Sequence, residues 1–521
     1  MADARIRERY HQARWDEPII YELSVKGERG VLVPEVEKEI SAKAGDISSI
    51  IPEKMRRKKP PRLPEISQKR VLSHYLHLSQ ETLGSNLNVD ISMGTCTMKY
   101  NPRVNEAIVD LISHIHPSQD EDTIQGILEI YYKTEQALKE ISGLDKFSLQ
   151  PGGGAQAVYT GVLTTRAYHR ANGEDDKRDE IITTIFSHPC NPAAAATAGY
   201  KVITLYPAED GYPDLDALKE VVSERTAALF IVNPEDTGIY NPKIDQFVKV
   251  VHEAGGLCYY DQANANGILG VARAKEAGFD MCHFNLHKTF ASPHGSMGPA
   301  TGAFGVTEKL AKYLPVPTVE KGKEKYWLDY KRPDSIGKIR GFFGVAPVVL
   351  RAYSWIMSLG ADGLREVAEI SVLNNNYLMK KVAQILGVVI YYAEGHRRFE
   401  EVRYSWEKLT EETGVSTIDI SNRISDFGIQ HYFPSHEPWL VPEPFTLEPC
   451  ETYSKADIDE YAAVLRRISE EAYNNPELVK TAPHKSASHR RDKEEEMNDP
   501  QNWAITWRAY LRKKGKDQNK M

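Results

Sequence analysis

Asp280-Met-Cys-His-Phe-Asn-Leu-His-Lys-Thr-Phe290 is the stretch on which the fold turns. Met281 to Phe284 read as a short buried strand, after which the chain leaves the sheet and presents His287 and Lys288 side by side. From Ser292 to Val306 a loop rich in Gly and Pro ends in a short apolar run. A lysine at the mouth of a sheet, set among tight turns, is suited to forming a Schiff base, because burial favours the neutral, nucleophilic amine.

Outward from this point the chain alternates strands and helices. Glu180 to Ser187, Lys201 to Tyr206, Ala227 to Val232 and Leu257 to Tyr260 read as strands, with helical patterns at Leu215 to Val222 and Lys243 to Glu253. Such alternation predicts a mainly parallel sheet covered on both faces, with ligands beyond the C-terminal strand ends. The residues just past those strands are therefore the informative ones. They are Ser187-His188-Pro-Cys-Asn191, Asn233-Pro-Glu-Asp-Thr-Gly238, Asp261-Gln-Ala263-Asn264 and Asn285-Leu-His287-Lys288.

Before the first of them lies Ser148-Leu-Gln-Pro-Gly-Gly-Gly-Ala-Gln-Ala-Val158, three glycines opening a helix. Backbone N–H groups of Gly153, Gly154, Ala155 and Gln156 could cradle a phosphate, aided by the positive end of the helix. The stretch lacks G-x-x-x-x-G-K-[ST], so it is not an ATP-type loop. Together these residues meet the needs of pyridoxal phosphate: a phosphate cradle, His188 to stack on the ring, Asp261 to keep the pyridine nitrogen protonated, and Lys288 for the Schiff base. The interval from Asp261 to Lys288 leaves room for a helix and a strand, as in aminotransferase-like, fold-type I enzymes.

The remainder of the chain frames that core. The 521 residues, 41% hydrophobic, can bury a large core. A formal charge of −8 argues against general nucleic-acid binding. No apolar run suits a bilayer, and the first ten residues are too charged for a signal peptide. The five cysteines (96, 190, 258, 282 and 450) form no C-x-x-C pair, and no His/Cys/Asp/Glu cluster has metal-ligand spacing. A cytoplasmic protein without metal or membrane is expected.

Four parts are expected: an extended N-terminal arm (1–93), a large α/β cofactor domain (94–345), a smaller α+β domain (346–483) and a charged tail (484–521). The basic, proline-punctuated run Ile50 to Pro64 suggests an arm lying over a neighbouring domain or subunit. Met93-Gly-Thr-Cys-Thr-Met-Lys-Tyr-Asn-Pro102 is a turn-rich loop offering Thr97, Lys99 and Tyr100 for substrate. Ala346 to Leu359, Gly363 to Leu386 and Ile458 to Ala472 read as helices; Gly387 to Tyr392 and Phe399 to Tyr404 read as strands. Trp503, Trp507, Tyr510 and Leu511 would share a helical face.

At these residues the chain resembles the C-terminal half of the glycine cleavage system P-protein, which exists in many prokaryotes as a separate subunit 2. The likeness rests on Gly94 to Pro102, Asp261-Gln-Ala-Asn264, Asn285 to Phe290 and Pro293-His-Gly295. It extends through Tyr21-Glu-Leu-Ser24, Arg29-Gly30, Ser335-Ile-Gly337, Ala361 to Arg365 and Leu447-Glu-Pro-Cys-Glu-Thr452, covering roughly residues 18 to 483. The resemblance implies a pyridoxal-phosphate enzyme in which glycine displaces Lys288, loses CO2 and passes its remaining carbon to the lipoyl disulfide of the H-protein. His287 or His294 would supply the proton. It further implies a homologous, cofactor-free subunit 1 and a heterotetramer of two such pairs.

The chain departs from the family in three places. Ser296-Met-Gly-Pro-Ala-Thr-Gly-Ala-Phe304 replaces a loop that is usually almost all glycine, Gln262 stands where glycine is common, and Asp90-Ile-Ser-Met93 differs from the usual context. A paralogue decarboxylating or condensing another amino acid without the H-protein, and a non-catalytic subunit that kept the fold, are the alternatives.

Overall fold

The computed structural model describes the chain except for residues 1–3, 5, 8, 84–90, 92–96, 98, 294–299, 394, 433, 488–489, 491–502, 504–505 and 514–521. Contacts gather it into two units, Met1–Glu8 with Gly84–Ala482, and Arg9–Leu83 with Pro483–Met521.

The larger unit is built on a seven-stranded sheet of β1 (Lys146–Ser148), β2 (Glu180–Thr184), β3 (Lys201–Leu205), β4 (Thr226–Val232), β5 (Leu257–Gln262), β6 (Met281–Asn285) and β7 (Gly302–Val306), in the order β1-β7-β6-β5-β4-β2-β3. Strands β3, β2, β4, β5 and β6 pair in parallel, while β7 runs antiparallel to both β6 and β1. Sequences such as Thr-Ala-Ala-Leu-Phe-Ile-Val in β4 and Met-Cys-His-Phe-Asn in β6 form these strands because both faces are covered by helices, so no polar alternation is needed. The helix Ile244–Glu253 supplies one such cover through buried Ile244, Phe247, Val248 and Val251. The helix Gln125–Ser142 supplies another and stops at Gly143, whose φ of 75° only glycine adopts freely.

Chain 263–280 departs from expectation: it links β5 to β6 by turns, with no helix. Asn264 Oδ1 accepts from Asn266 N, Gly270 and Gly278 take positive φ, and buried Ala265, Ile268 and Leu269 anchor the turns against the core. A short helix, Cys190–Thr197, follows β2 where the sequence suggested only a loop.

A second core closes the unit around β10 (Val389–Ile390), β11 (Val402–Ser405) and β12 (Pro444–Leu447), an antiparallel sheet whose centre is Phe445 stacked with Trp406, Tyr404 and Tyr432. A small hairpin, β8 (Thr318–Lys321) with β9 (Tyr326–Asp329), completes the strands. β10 and β11 are shorter than the sequence suggested because the flanking backbone bonds elsewhere. Phe399 N donates to Gly238 O, Phe399 O accepts from Asn375, and the Tyr391 and Tyr392 carbonyls accept from Arg398. The long helical run Ala346–Val382 breaks at Gly360 (φ 65°), giving the two expected helices. Ser454 and Asp457 form a capping box that starts the helix Lys455–Asn474.

In the smaller unit, 50–64 is not wholly extended, since 3-10 turns occur at Ile47–Ile50 and Glu53–Met55. Glu17 ties the helix Gln68–Gln80 down by accepting from His74 and His77, each at 2.7 Å. The tail helix Trp507–Lys513 packs within this unit, Trp507 stacking on Tyr21 and Leu511 buried, whereas Trp503 is exposed. Among the described residues no helix is long and apolar enough to cross a membrane.

Candidate active site

The C-terminal ends of β2, β4, β5 and β6 open on one side of the sheet, and the helix Gly154–Ala171 points its N-terminus to the same side. Gly153, at φ 151°, lets the chain turn into that helix. Gly154 has a second reason to be glycine: a Cβ there would stand 2.8 Å from the Asn285 side-chain nitrogen. The glycine turn thus abuts the end of β6, three residues before Lys288. Gln156 contributes its position more than its side chain, because its amide clamps the turn, accepting from Gly152 N at 2.6 Å and donating to Ile339 O at 2.9 Å.

Asp261 is buried at the end of β5, level with His283 on β6. Ala263 N donates to its Oδ1 at 3.0 Å, and His283 Nε2 lies 3.6 Å from the same oxygen. His283 Nδ1 meets the Tyr259 hydroxyl at 2.8 Å. The carboxylate facing Nε2 favours the tautomer with the proton on that nitrogen, in which the tyrosine donates to Nδ1. Burial and the Lys288 charge both hold His283 below its usual pKa, opposed by Asp261.

Lys288 is buried in the turn after β6, its N–H donating to Asn285 O at 3.0 Å. Its charge acts on His188, Cys190, Asp236, His283 and Glu448, which defines the circle of side chains around it. His188 keeps a solvent-reachable ring, yet the walls around it and the Lys288 cation depress its pKa; Nδ1 accepts from Cys190 N at 3.1 Å, and the ring meets His436 edge-on at 5.8 Å. His287 is buried beside Lys288.

Several expected binders have other duties. Asn233 bonds both ways to the backbone of Asn241, at 2.8 and 3.2 Å, closing its own loop. Lys99 is buried in an ion pair with Glu451 at 2.8 Å and lies over the Trp355 ring. Thr97 donates to Glu448 at 2.6 Å, and Tyr100 is exposed. His294, Ser296 and Met297, and most of Asp90 to Met98, lie outside the described residues.

The second core brings in buried charges that the strand-end reading did not point to. Arg403 on β11 donates to Glu437 at 2.9 Å, lies 3.5 Å from Asp236 and sits over the Phe186 ring. Asp236 and Glu448 are held above the usual carboxyl range by burial, against the pull of Arg403 on the first and of hydrogen bonds and Lys288 on the second. Burial lifts Glu235 and Glu400 to about 8. Far from this region the fold does assemble a potential metal-ligand set, His252, Cys258 and Asp280, that spacing alone did not reveal. The Lys309 ammonium already lies on Asp280 at 2.5 Å, and His252 bonds it at 2.8 Å, so the carboxylate's charge is met from within the chain.

The parallel sheet, glycine-opened helix, strand-end carboxylate and buried lysine define a fold-type I enzyme of the pyridoxal-phosphate-dependent class, and residues 163–314 match the class-V aminotransferase family. Residues 367–487 match the family described as glycine dehydrogenase, C-terminal domain. The chain is 46% identical over 512 residues to the probable glycine dehydrogenase (decarboxylating) subunit 2 of Pyrococcus abyssi, covering 97% of this chain and 99% of the relative. Its counterpart in Caldanaerobacter subterraneus is 41% identical, covering 94% and 98%. The chain belongs to the glycine dehydrogenase (decarboxylating) subunit 2 family, and is an enzyme subunit. A crystal structure of glycine decarboxylase, the P-protein of the glycine cleavage system, in inhibitor-bound form, shares the fold at a TM-score of 0.71 and 19% identity, covering 84% of this chain and all of that one.

Proposed function

We propose that this chain carries pyridoxal phosphate on Lys288 and decarboxylates glycine, passing the remaining aminomethyl group to the lipoyl arm of an H-protein. The observation that carries the reading is the meeting of Lys288, Asp261 and the glycine turn on one side of the sheet. The residues fit the cofactor: Gly154 leaves room that a Cβ would fill, and the buried Asn285 Oδ1 beside it has no hydrogen-bond partner among the described residues. First-turn N–H groups at Gly154, Ala155 and Gln156 would hold the phosphate. Asp261 would hold a proton on the ring nitrogen, braced by His283, and the His188 ring would cover one face. When bound, the cofactor supplies the electron sink that decarboxylation needs. Lys288 holds it covalently, gives way to the substrate amine, and remains close enough to exchange a proton with it. His287 and His294 are the candidate proton donors to the departing sulfur.

Residues 94–345 serve as the cofactor domain and 346–483 as a domain closing over it. The relatives' name, subunit 2, implies a partner subunit. In the smaller unit Val31, Leu32 and Val33 are about three-quarters exposed, and no residue of the helix Lys38–Ala44 is buried. That apolar stretch, with the basic run at 54–62, would be covered by the homologous subunit 1.

Absorbance tests the cofactor: Lys288→Ala should lose the visible imine band after dialysis, and an unchanged band rejects the assignment. Exchange of labelled bicarbonate into the carboxyl group of glycine, with subunit 1 and lipoylated H-protein added, tests the reaction. An imine band without exchange would assign the chain another amino acid.

A further inference from the structure

His188 stands on the segment that follows β2, and the second core grips that segment at two points. Arg403 on β11 lies over the Phe186 ring, its guanidinium carbon 5.3 Å from the ring centre. Two residues further on, the His436 ring meets the His188 ring at 5.8 Å, with the two planes 84° apart. The backbone that delivers His436 is strained. Ser435 and Glu437, on either side of it, take φ of 57° and 51°, a left-handed conformation that costs residues with a side chain energy and persists only where the surroundings impose it. Here they do. The Ser435 hydroxyl shares a hydrogen bond with Thr446 Oγ1 on β12, and buried Glu437 accepts from Arg403 at 2.9 Å. One arginine thus holds both Phe186 and the strained segment that carries His436.

Resting on the cofactor reading above, we propose that His436 is a positioning residue, which fixes the plane in which the His188 ring covers the cofactor. The bond from Cys190 N to His188 Nδ1, at 3.1 Å, meets the imidazole in its own plane and leaves the ring free to tilt about the line of that bond. A second ring packed nearly perpendicular to the first removes that freedom, because a tilt would drive one ring into the other. One restraint in the plane and one across it set the orientation. Both imidazoles are held below their usual pKa, His188 by the walls around it and the Lys288 charge, His436 by burial and Arg403, so the two rings meet neutral and do not repel. Stacking on a flat cofactor ring needs near-parallel planes, so a cover already set in its plane binds the cofactor without an ordering cost.

The test is titration of the cofactor-free full chain with pyridoxal phosphate. It is followed by the visible imine band and by circular dichroism within that band, which reads the asymmetry around the bound ring. His436→Ala removes the perpendicular ring, so affinity should fall roughly fivefold and the dichroic signal should shrink relative to the absorbance. His436→Phe puts back a ring edge without an imidazole, and should restore both. His436 is half-buried, so both variants should fold, and thermal melting of the cofactor-free proteins checks that they do. Affinity and dichroism in His436→Ala that match the wild type would overturn the proposal, whatever the melting temperature, because the contact would then be structural alone. A defect that His436→Phe leaves uncorrected would overturn it too, since the imidazole and not its ring edge would be what matters. An absent visible band in the wild type would instead overturn the cofactor reading.

Discussion

Tyr259→Phe isolates what holds Asp261 in register. Tyr259 is fully buried on β5, its ring stacked on Phe230 with centroids 4.5 Å apart, and phenylalanine preserves that stack. Only the hydroxyl is lost, and with it the 2.8 Å bond to His283 Nδ1. His283 is itself fully buried, so no water replaces the donor. An unpaired buried acceptor costs about 1–3 kcal/mol. Asp261 keeps the Ala263 N–H at 3.0 Å, so its carboxylate is loosened rather than released, and the effect on cofactor affinity should be the smaller share, about 1 kcal/mol or roughly fivefold. Thermal unfolding of the cofactor-free protein reads the first quantity, and spectrophotometric titration with pyridoxal phosphate reads the second. The double variant Tyr259→Phe/His283→Leu separates them. Removing both polar partners should restore most of the stability, while cofactor binding weakens further because only the Ala263 N–H then holds Asp261. If Tyr259→Phe leaves both stability and affinity unchanged, or the double variant binds the cofactor like the wild type, the bracing chain from Tyr259 through His283 to Asp261 is refuted.

Three further outcomes follow from the same geometry. Lys99→Met should destabilise the protein by up to about 3 kcal/mol, since it strands the partly buried Glu451 carboxylate; adding Glu451→Gln should recover much of the loss in a melting experiment. Glu400 has its pKa raised from 4.5 to about 8, so the folded state binds the extra proton: its stability is fully present below about pH 4.5 and is lost as pH rises through 8. Its share of the slope is up to about 1.4 kcal/mol per pH unit, and Glu400→Gln should remove that share from the pH profile of melting. Gly302→Ala puts a Cβ 2.6 Å from Gly153 O and 2.8 Å from the Ala157 Cβ. The glycine turn would have to yield at a cost of about 1–3 kcal/mol, and cofactor affinity in a spectral titration should fall roughly tenfold.

The central sheet was legible because its strands are continuous apolar runs bounded by turn residues. β2, β4, β5 and β6 lie where Glu180, Ala227, Leu257 and Met281 announced them, and β2 stops early only because Ser187 N turns back to Thr184 O. β1 escaped notice because three residues carry no period. The helix Cys190–Thr197 escaped because it opens behind His188-Pro189, which read as loop. Lys288 and Asp261 were legible for a topological reason, since they follow strands whose ends must converge. His283 was hidden inside β6, where a histidine among Met281, Cys282 and Phe284 reads as core. Asn233 and Gln156 were legible as polar residues near the site, but their hydrogen bonds go to Asn241 and to Gly152 and Ile339, and no local pattern foretells that.

The least legible part of the site is also the part that sets its electrostatics. Lys288 sits among groups contributed by the large sheet, but Glu448 and Arg403 arrive from β12 and β11, more than a hundred residues later. Each is buried, and each meets a partner on the loops after β4 or β5: Arg403 meets Asp236, and Glu448 meets Asn264 and Asn266. A buried carboxyl without such partners would cost several kcal/mol, so these pairings and the seating of the second core on the first stabilise one another. The charge state around Lys288 is therefore coupled to that seating. A substitution at either end of the Arg403–Asp236 pair should change both the melting temperature and its pH dependence, whereas a change in the glycine turn should lower stability and cofactor affinity with the pH dependence of melting left in place.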